Sequence, residues 1–135
     1  MSQAALYLAV PLAGGLGAAV RFVVDSAVRA RWPLPTKGGR VWPLGILVIN
    51  VTGSLSLGLL TGWGLQRGPS DWLVIAGTGL LGGYTTFSTA SVDAVLLARE
   101  GSRASAWGYV AATVGGAVAF AAIGLALGLS LTPPA

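Results

Sequence analysis

The polar chemistry that this chain sets inside apolar sequence sits in four short constellations. Asn50-Val-Thr-Gly-Ser54 interrupts an aliphatic run. An amide there must find a partner, so it either bonds a neighbouring helix or presents its NH2 donor to something passing through. Gly79-Leu-Leu-Gly-Gly-Tyr-Thr-Thr-Phe-Ser-Thr89 brings two adjacent glycines against a run of hydroxyl residues. That stretch is either a glycine hinge whose Ser and Thr bond back to their own helix, or a break. A break exposes carbonyls that suit cations and half-helix N-termini that suit anions. Gly14-Gly-Leu-Gly-Ala-Ala-Val-Arg21 places a guanidinium about two helical turns beyond its glycines. Intramembrane Arg is costly and tends to be functional, although near a span end it can snorkel to the surface. Tyr109 and Thr113 share one helical face, with Ala117 continuing it.

Other chemistry is excluded by residue type. The chain has no Cys and no His, which removes disulfides, thiolate metal sites, Cys or His nucleophiles and imidazole relays, and no enzyme constellation remains. Asp25, four residues after Arg21, is placed to pair with it. Asp93, one turn before Arg99 and Glu100, is placed to reach water. Neither is the mid-span carboxylate that a proton-coupled pump would use. Hydroxyls, an amide and an aromatic edge without a central charge fit passive conduction better than coupled transport.

The elements that must position these groups follow from composition. The 135 residues are 54% hydrophobic and 9% charged, with a mean hydropathy of +0.77, far from a soluble globular mixture. Lipid is the solvent they suit. The net charge is +4, but the basic residues gather between apolar runs instead of interleaving with aromatics on one face, which argues against nucleic acid as a partner. A bilayer core needs about 20 helical residues, and four segments meet that length: 4–28, 43–65, 72–98 and 104–131. The expected fold is an all-α membrane protein in one domain, with four transmembrane helices and the third broken at mid-membrane. The apolar N-terminal stretch is expected to be a retained span rather than a cleaved signal. Trp42, Trp72 and Trp107 fall near span ends, where indole rings commonly sit. Twenty-one glycines are present, and Gly14, Gly15, Gly17, Gly53, Gly58, Gly77, Gly79, Gly82, Gly83, Gly115 and Gly116 give every span a small face for close packing. Four helices this short have little room to enclose a pathway, so at least a dimer is expected.

Taken together, the three motifs of the first, second and third spans resemble those of the Fluc (CrcB) fluoride channels, in order, in spacing and in the Thr85-Thr-Phe-Ser-Thr89 core. The resemblance implies a dimer of antiparallel subunits in the bacterial plasma membrane that lets cytoplasmic fluoride leak out and so lowers its toxicity. By the same resemblance, Asn50 would contact the ion and Phe87 would present its electropositive ring edge to it. Ser88, Thr89, Tyr109 and Thr113 would form a polar track, and Arg21 would supply positive potential near a vestibule. The backbone carbonyls of Gly82 and Thr85, from both subunits, would hold a structural Na+ on the dimer axis. Three positions depart from the family pattern: Ala90 replaces a second pore aromatic, Ile46 a Thr, and Ala117 a common hydroxyl.

Two other readings stay open: a non-conducting assembly partner whose broken helix only packs, and a small proton-coupled exporter. Orientation adds a further expectation. Arg29, Arg31, Lys37, Arg40, Arg99 and Arg103 flank one end of the spans, whereas the other end has only Arg67. Six basic residues against one place the first and third loops in the cytoplasm and both termini outside. A chain inserted in one direction needs an oppositely oriented partner to form an antiparallel pair, which favours a related second chain over a second copy.

Overall fold

The computed structural model describes residues 1–35, 41–68, 70–100 and 103–131. Lys37 and Arg40 of the first basic loop lie outside these described residues. Helix α1 (Gln3–Arg31) starts at Ser2, whose hydroxyl accepts from the Ala5 amide at 3.3 Å, a standard N-cap bond. Arg29 and Arg31 occupy its last turn, where cations oppose the negative end of the helix dipole. It outlasts the expected span by three residues, because the Trp32 amide still bonds the Val28 carbonyl and only Pro33 stops it. Helix α2 (Leu44–Leu65) begins directly after Pro43 and gives way to Gly68, whose φ of 82° closes the turn.

The expected third span is assembled from pieces: α3 (Asp71–Val74), a π-helical stretch over Ile75–Leu81, α4 (Gly82–Tyr84) and, after a break, α5 (Phe87–Arg99). The break was expected between Gly82 and Thr85. Gly82 is helical (φ −63°, ψ −38°), and the chain becomes extended only at Thr85 (ψ 158°) and Thr86 (φ −152°, ψ 119°). Helix α6 (Arg103–Ser130) completes the chain. Three helices, α1, α2 and α6, are long and apolar enough to cross a membrane, and large apolar residues such as Tyr7, Leu12, Phe22, Trp107 and Val118 face outward.

Backbone proximity organises the packing. The tightest pair is α2 with α6, where Gly58 and Gly62 meet Gly124 and Gly128: a Cβ on any of the four would overlap a main-chain carbonyl of the facing helix. Two small-xxx-small pairs thus interlock, the geometry that drives association where lipid removes the hydrophobic driving force. Gly115 and Gly15 have no neighbour within 4 Å, so the expected small faces of the first and fourth spans are only partly used. Helix α1 packs on the π-helical stretch in the same way. A Cβ at Gly17 would overlap the Leu80 carbonyl, and one at Gly83 the Gly14 carbonyl.

One end of the bundle gathers the N-terminus, the ends of the second loop and the last turn of α6. The N-terminal amine pairs with Asp71, and the Gln66 amide donates to the Leu129 carbonyl at 2.7 Å. Trp63 and Trp72 meet there edge to face, with the Arg67 guanidinium 4.1 Å from the Trp63 ring. At the opposite end the acids differ from expectation. Asp25 takes Arg29, with both carboxylate oxygens 2.9 Å from Nε, instead of Arg21. An acid N-terminal to its base at this spacing is the better orientation, and Arg21 is engaged elsewhere. Asp93, expected to reach water, is 6% exposed, with a carboxylate oxygen 3.9 Å from the Arg29 guanidinium. Trp42, expected at an interface, turns inward onto the Tyr109 ring at 5.3 Å.

Candidate functional site at the helix break

Asn50 determines the break. It is 7% exposed, its Nδ2 donates to the Thr86 carbonyl at 2.9 Å, and its Oδ1 accepts from the Thr86 amide at 2.8 Å. A side-chain amide matched to a backbone amide in this way takes up the Thr86 N–H, which has left the helical ladder, and adds a donor to the Thr86 carbonyl. Gly53, one turn away, leaves room for the detour, because a Cβ there would overlap the Thr85 methyl. Thr86 then restarts the helix: its Oγ1 accepts from the Thr89 amide at 3.3 Å and donates to the Thr89 hydroxyl at 3.0 Å. Sequence reasoning left Thr86 out of the site. Its signal was present as a Thr three residues before another hydroxyl at a helix start.

Two amides are rerouted by this arrangement. The Thr86 amide, which a continuous α-helix would direct to Gly82, goes to Asn50, and the Thr89 amide, which would go to Thr85, goes to Thr86 Oγ1. The Thr85 carbonyl accepts instead from Arg21 Nη1 at 3.3 Å. Arg21, expected near a vestibule, therefore reaches from α1 to the break. Neutral main-chain oxygens suit a hard monovalent cation. Among the described residues no group of three or more His, Cys, Asp or Glu exists to hold a metal by side chains. Main-chain carbonyls such as those of Gly82 and Thr85 are the kind of ligand Na+ takes, but at Thr85 the oxygen is held by the Arg21 guanidinium.

The expected anion residues divide into two sets. Tyr109 and Thr113 are buried, at 1% and 7% exposure, and Asn50 and Thr86 lie beside them. Phe87 is 80% exposed, and Ser88 is also on the outer surface. A cavity of about 260 Å3 joins the sets, lined by Asn50, Ser54, Thr86, Phe87, Thr113 and Ala117 among others. A second, of about 80 Å3, lies between Phe87, Ala90, Tyr109 and Thr113. Ala90 is thus beside the cavity wall, where a larger ring would fill the space.

Both hydroxyls, Tyr109 Oη and Thr113 Oγ1, are buried without a hydrogen-bond partner among the described residues. Such a hydroxyl costs about 1–3 kcal/mol. The two face the same space from successive turns of α6. Their protons meet no geometrically sound acceptor among the described residues.

Residues 8–125 match the family described as CrcB-like protein, Camphor Resistance (CrcB). The chain is similar to proteins named fluoride-specific ion channel. FluC 1 of Leifsonia xyli is 46% identical over 138 residues, covering 95% of this chain and 92% of that protein. FluC 2 of Cutibacterium acnes is 48% identical over 120 residues, covering 87% and 92%. FluC of Methylobacterium nodulans is 41% identical over 122 residues, covering 89% and 93%.

Proposed function

The chain belongs to the CrcB family, and from that premise we propose that it is a subunit of a fluoride channel rather than an enzyme. The observation that carries the reading is the pair of buried, unpartnered hydroxyls of Tyr109 and Thr113 beside the cavity of Asn50, Thr86 and Phe87. Fluoride is a small anion and a strong hydrogen-bond acceptor, so it satisfies donors that would otherwise remain costly. Asn50 keeps one amide hydrogen beyond the bond to Thr86, and the Phe87 ring offers its positive edge. Ser88 and Thr89 continue the polar lining. Hydrogen fluoride crosses bilayers as a neutral weak acid and ionises inside. A passive anion route empties that trap and lowers fluoride toxicity.

The assembly is part of the same proposal. Residues 71–99 make the fourth crossing, with the break at mid-membrane, in the plasma membrane of a bacterium. Phe87 and Gly82 are exposed on the single chain, which supports an antiparallel second subunit that covers them and pairs the two sets of Gly82 and Thr85 carbonyls around one Na+. Fluoride efflux from liposomes tests both points. With Na+ present, the chain, alone or with a related subunit, should release fluoride. Replacing Na+ by a bulky organic cation should slow release or weaken the dimer. Absence of efflux in every combination rejects the channel reading, and indifference to the exchange rejects the Na+ site alone.

Orientation bears on the choice of partner. The N-terminus, the start of the third span and the last turn of α6 share one end of the bundle, and in the sequence the loops assigned to the other end carry six basic residues against one. We infer that both termini lie outside and that the partner is a related chain of opposite orientation. Ala90 agrees, since a heterodimer tolerates one pore with a missing ring. A C-terminal fusion should report only an external location. Comparable signals from cytoplasmic and external reporters would show dual insertion and a homodimer instead.

A further inference from the structure

The hydroxyls of α2 do not behave alike. Thr52, Ser56 and Thr61 each donate to a carbonyl one turn back, at 2.7, 2.9 and 2.8 Å. This back-bonding is how a hydroxyl on a lipid-embedded helix is satisfied without a partner helix. Ser54 stands between Thr52 and Ser56 and makes no such bond to the carbonyl of Asn50, nor any other hydrogen bond among the described residues. It lines the cavity of about 260 Å3 instead.

Its position within that cavity is specific. Ser54 is one turn beyond Asn50 on the same face of α2, and the facing wall carries Thr113 and, one turn on, Ala117. Asn50 and Thr113 supply donors at one level, but Ala117 has none at the next. Among the described residues, the only cavity-lining hydroxyl in that next turn comes from α2. We propose that Ser54 is an anion-coordinating residue: its hydroxyl donates to the fluoride ion at the step beyond Asn50 and Thr113, from the wall opposite Ala117. This assignment rests on the channel reading above.

An ion that loses one of its few donors loses a charge-assisted hydrogen bond. Ser54→Ala should therefore lower fluoride efflux from liposomes about tenfold, while the assembled protein elutes and melts as the wild type does. The decisive variant moves the hydroxyl across the cavity. Ser54→Ala combined with Ala117→Ser should recover efflux to within about threefold of the wild type, because the donor returns at the same level. Recovery cannot follow if Ser54 merely packs. Efflux unchanged in Ser54→Ala, or a folded double variant that stays as slow as the single one, overturns the assignment and leaves the channel reading intact. A wild type that conducts nothing alone or with a related subunit overturns both.

Discussion

Asn50→Leu should reduce fluoride efflux by at least a hundredfold and lower the stability of the assembled protein. The substitution keeps the volume roughly constant but removes both bonds to Thr86. The Thr86 amide, in a residue 6% exposed, then lacks a partner, at about 1–3 kcal/mol, and the Thr86 carbonyl loses one donor. The chain then re-forms helix through the break or opens the cavity. Either change displaces Phe87 and Thr89 from the Thr113 wall. Efflux per assembled particle, with the denaturation midpoint measured on the same preparation, checks this. A variant within twofold of the wild type in both would show that Asn50 does not hold the break.

Gly17→Val should prevent assembly, whereas Gly15→Val, two residues away on the same helix, should be nearly neutral. At Gly17 a Cβ overlaps the Leu80 carbonyl and comes within 2.8 Å of the Tyr84 amide nitrogen. Both obstacles are main chain, so neither can rotate aside. Overpacking of this kind costs about 1–3 kcal/mol or more, and relief requires α1 to lift from the π-helical stretch. That movement also removes the Arg21 bond to Thr85, one turn further along α1. At Gly15 nothing lies within 4 Å. The yield of folded protein in detergent separates the two variants, and equal yields would mean that α1 does not pack on this face.

Between these positions the route from residues to function becomes concrete. Glycines let α1 and α2 approach the segmented helix, approach lets Asn50 and Arg21 reach its backbone, and those two contacts hold an extended pair of residues where helix would otherwise form. Thr86 is both the residue held and the cap of the next helix. The buried hydroxyls of α6 then face a cavity instead of a packed core.

The sequence alone determined the solvent and the elements, because a requirement for about 20 apolar helical residues is local and counts directly. The bounds of the first, second and fourth spans fell within about three residues of the observed helices. The polar motifs were equally legible, since an Asn or a Thr-Thr-Phe-Ser-Thr run stands out against aliphatic sequence. Tertiary structure decided what each polar group does. Asn50 was open to two partners until α2 was placed one side chain from Thr86. Asp25 had basic residues four positions before and after it, and only the reach of Arg21 to the Thr85 carbonyl released Arg29 to it. Gly124 and Gly128 were passed over and Gly115 was favoured, because a small residue signals close packing only when another helix faces it. Ser54 reads in sequence like Thr52 and Ser56. Its difference is an unmade bond and a cavity, and both depend on where α6 lies rather than on the residue itself.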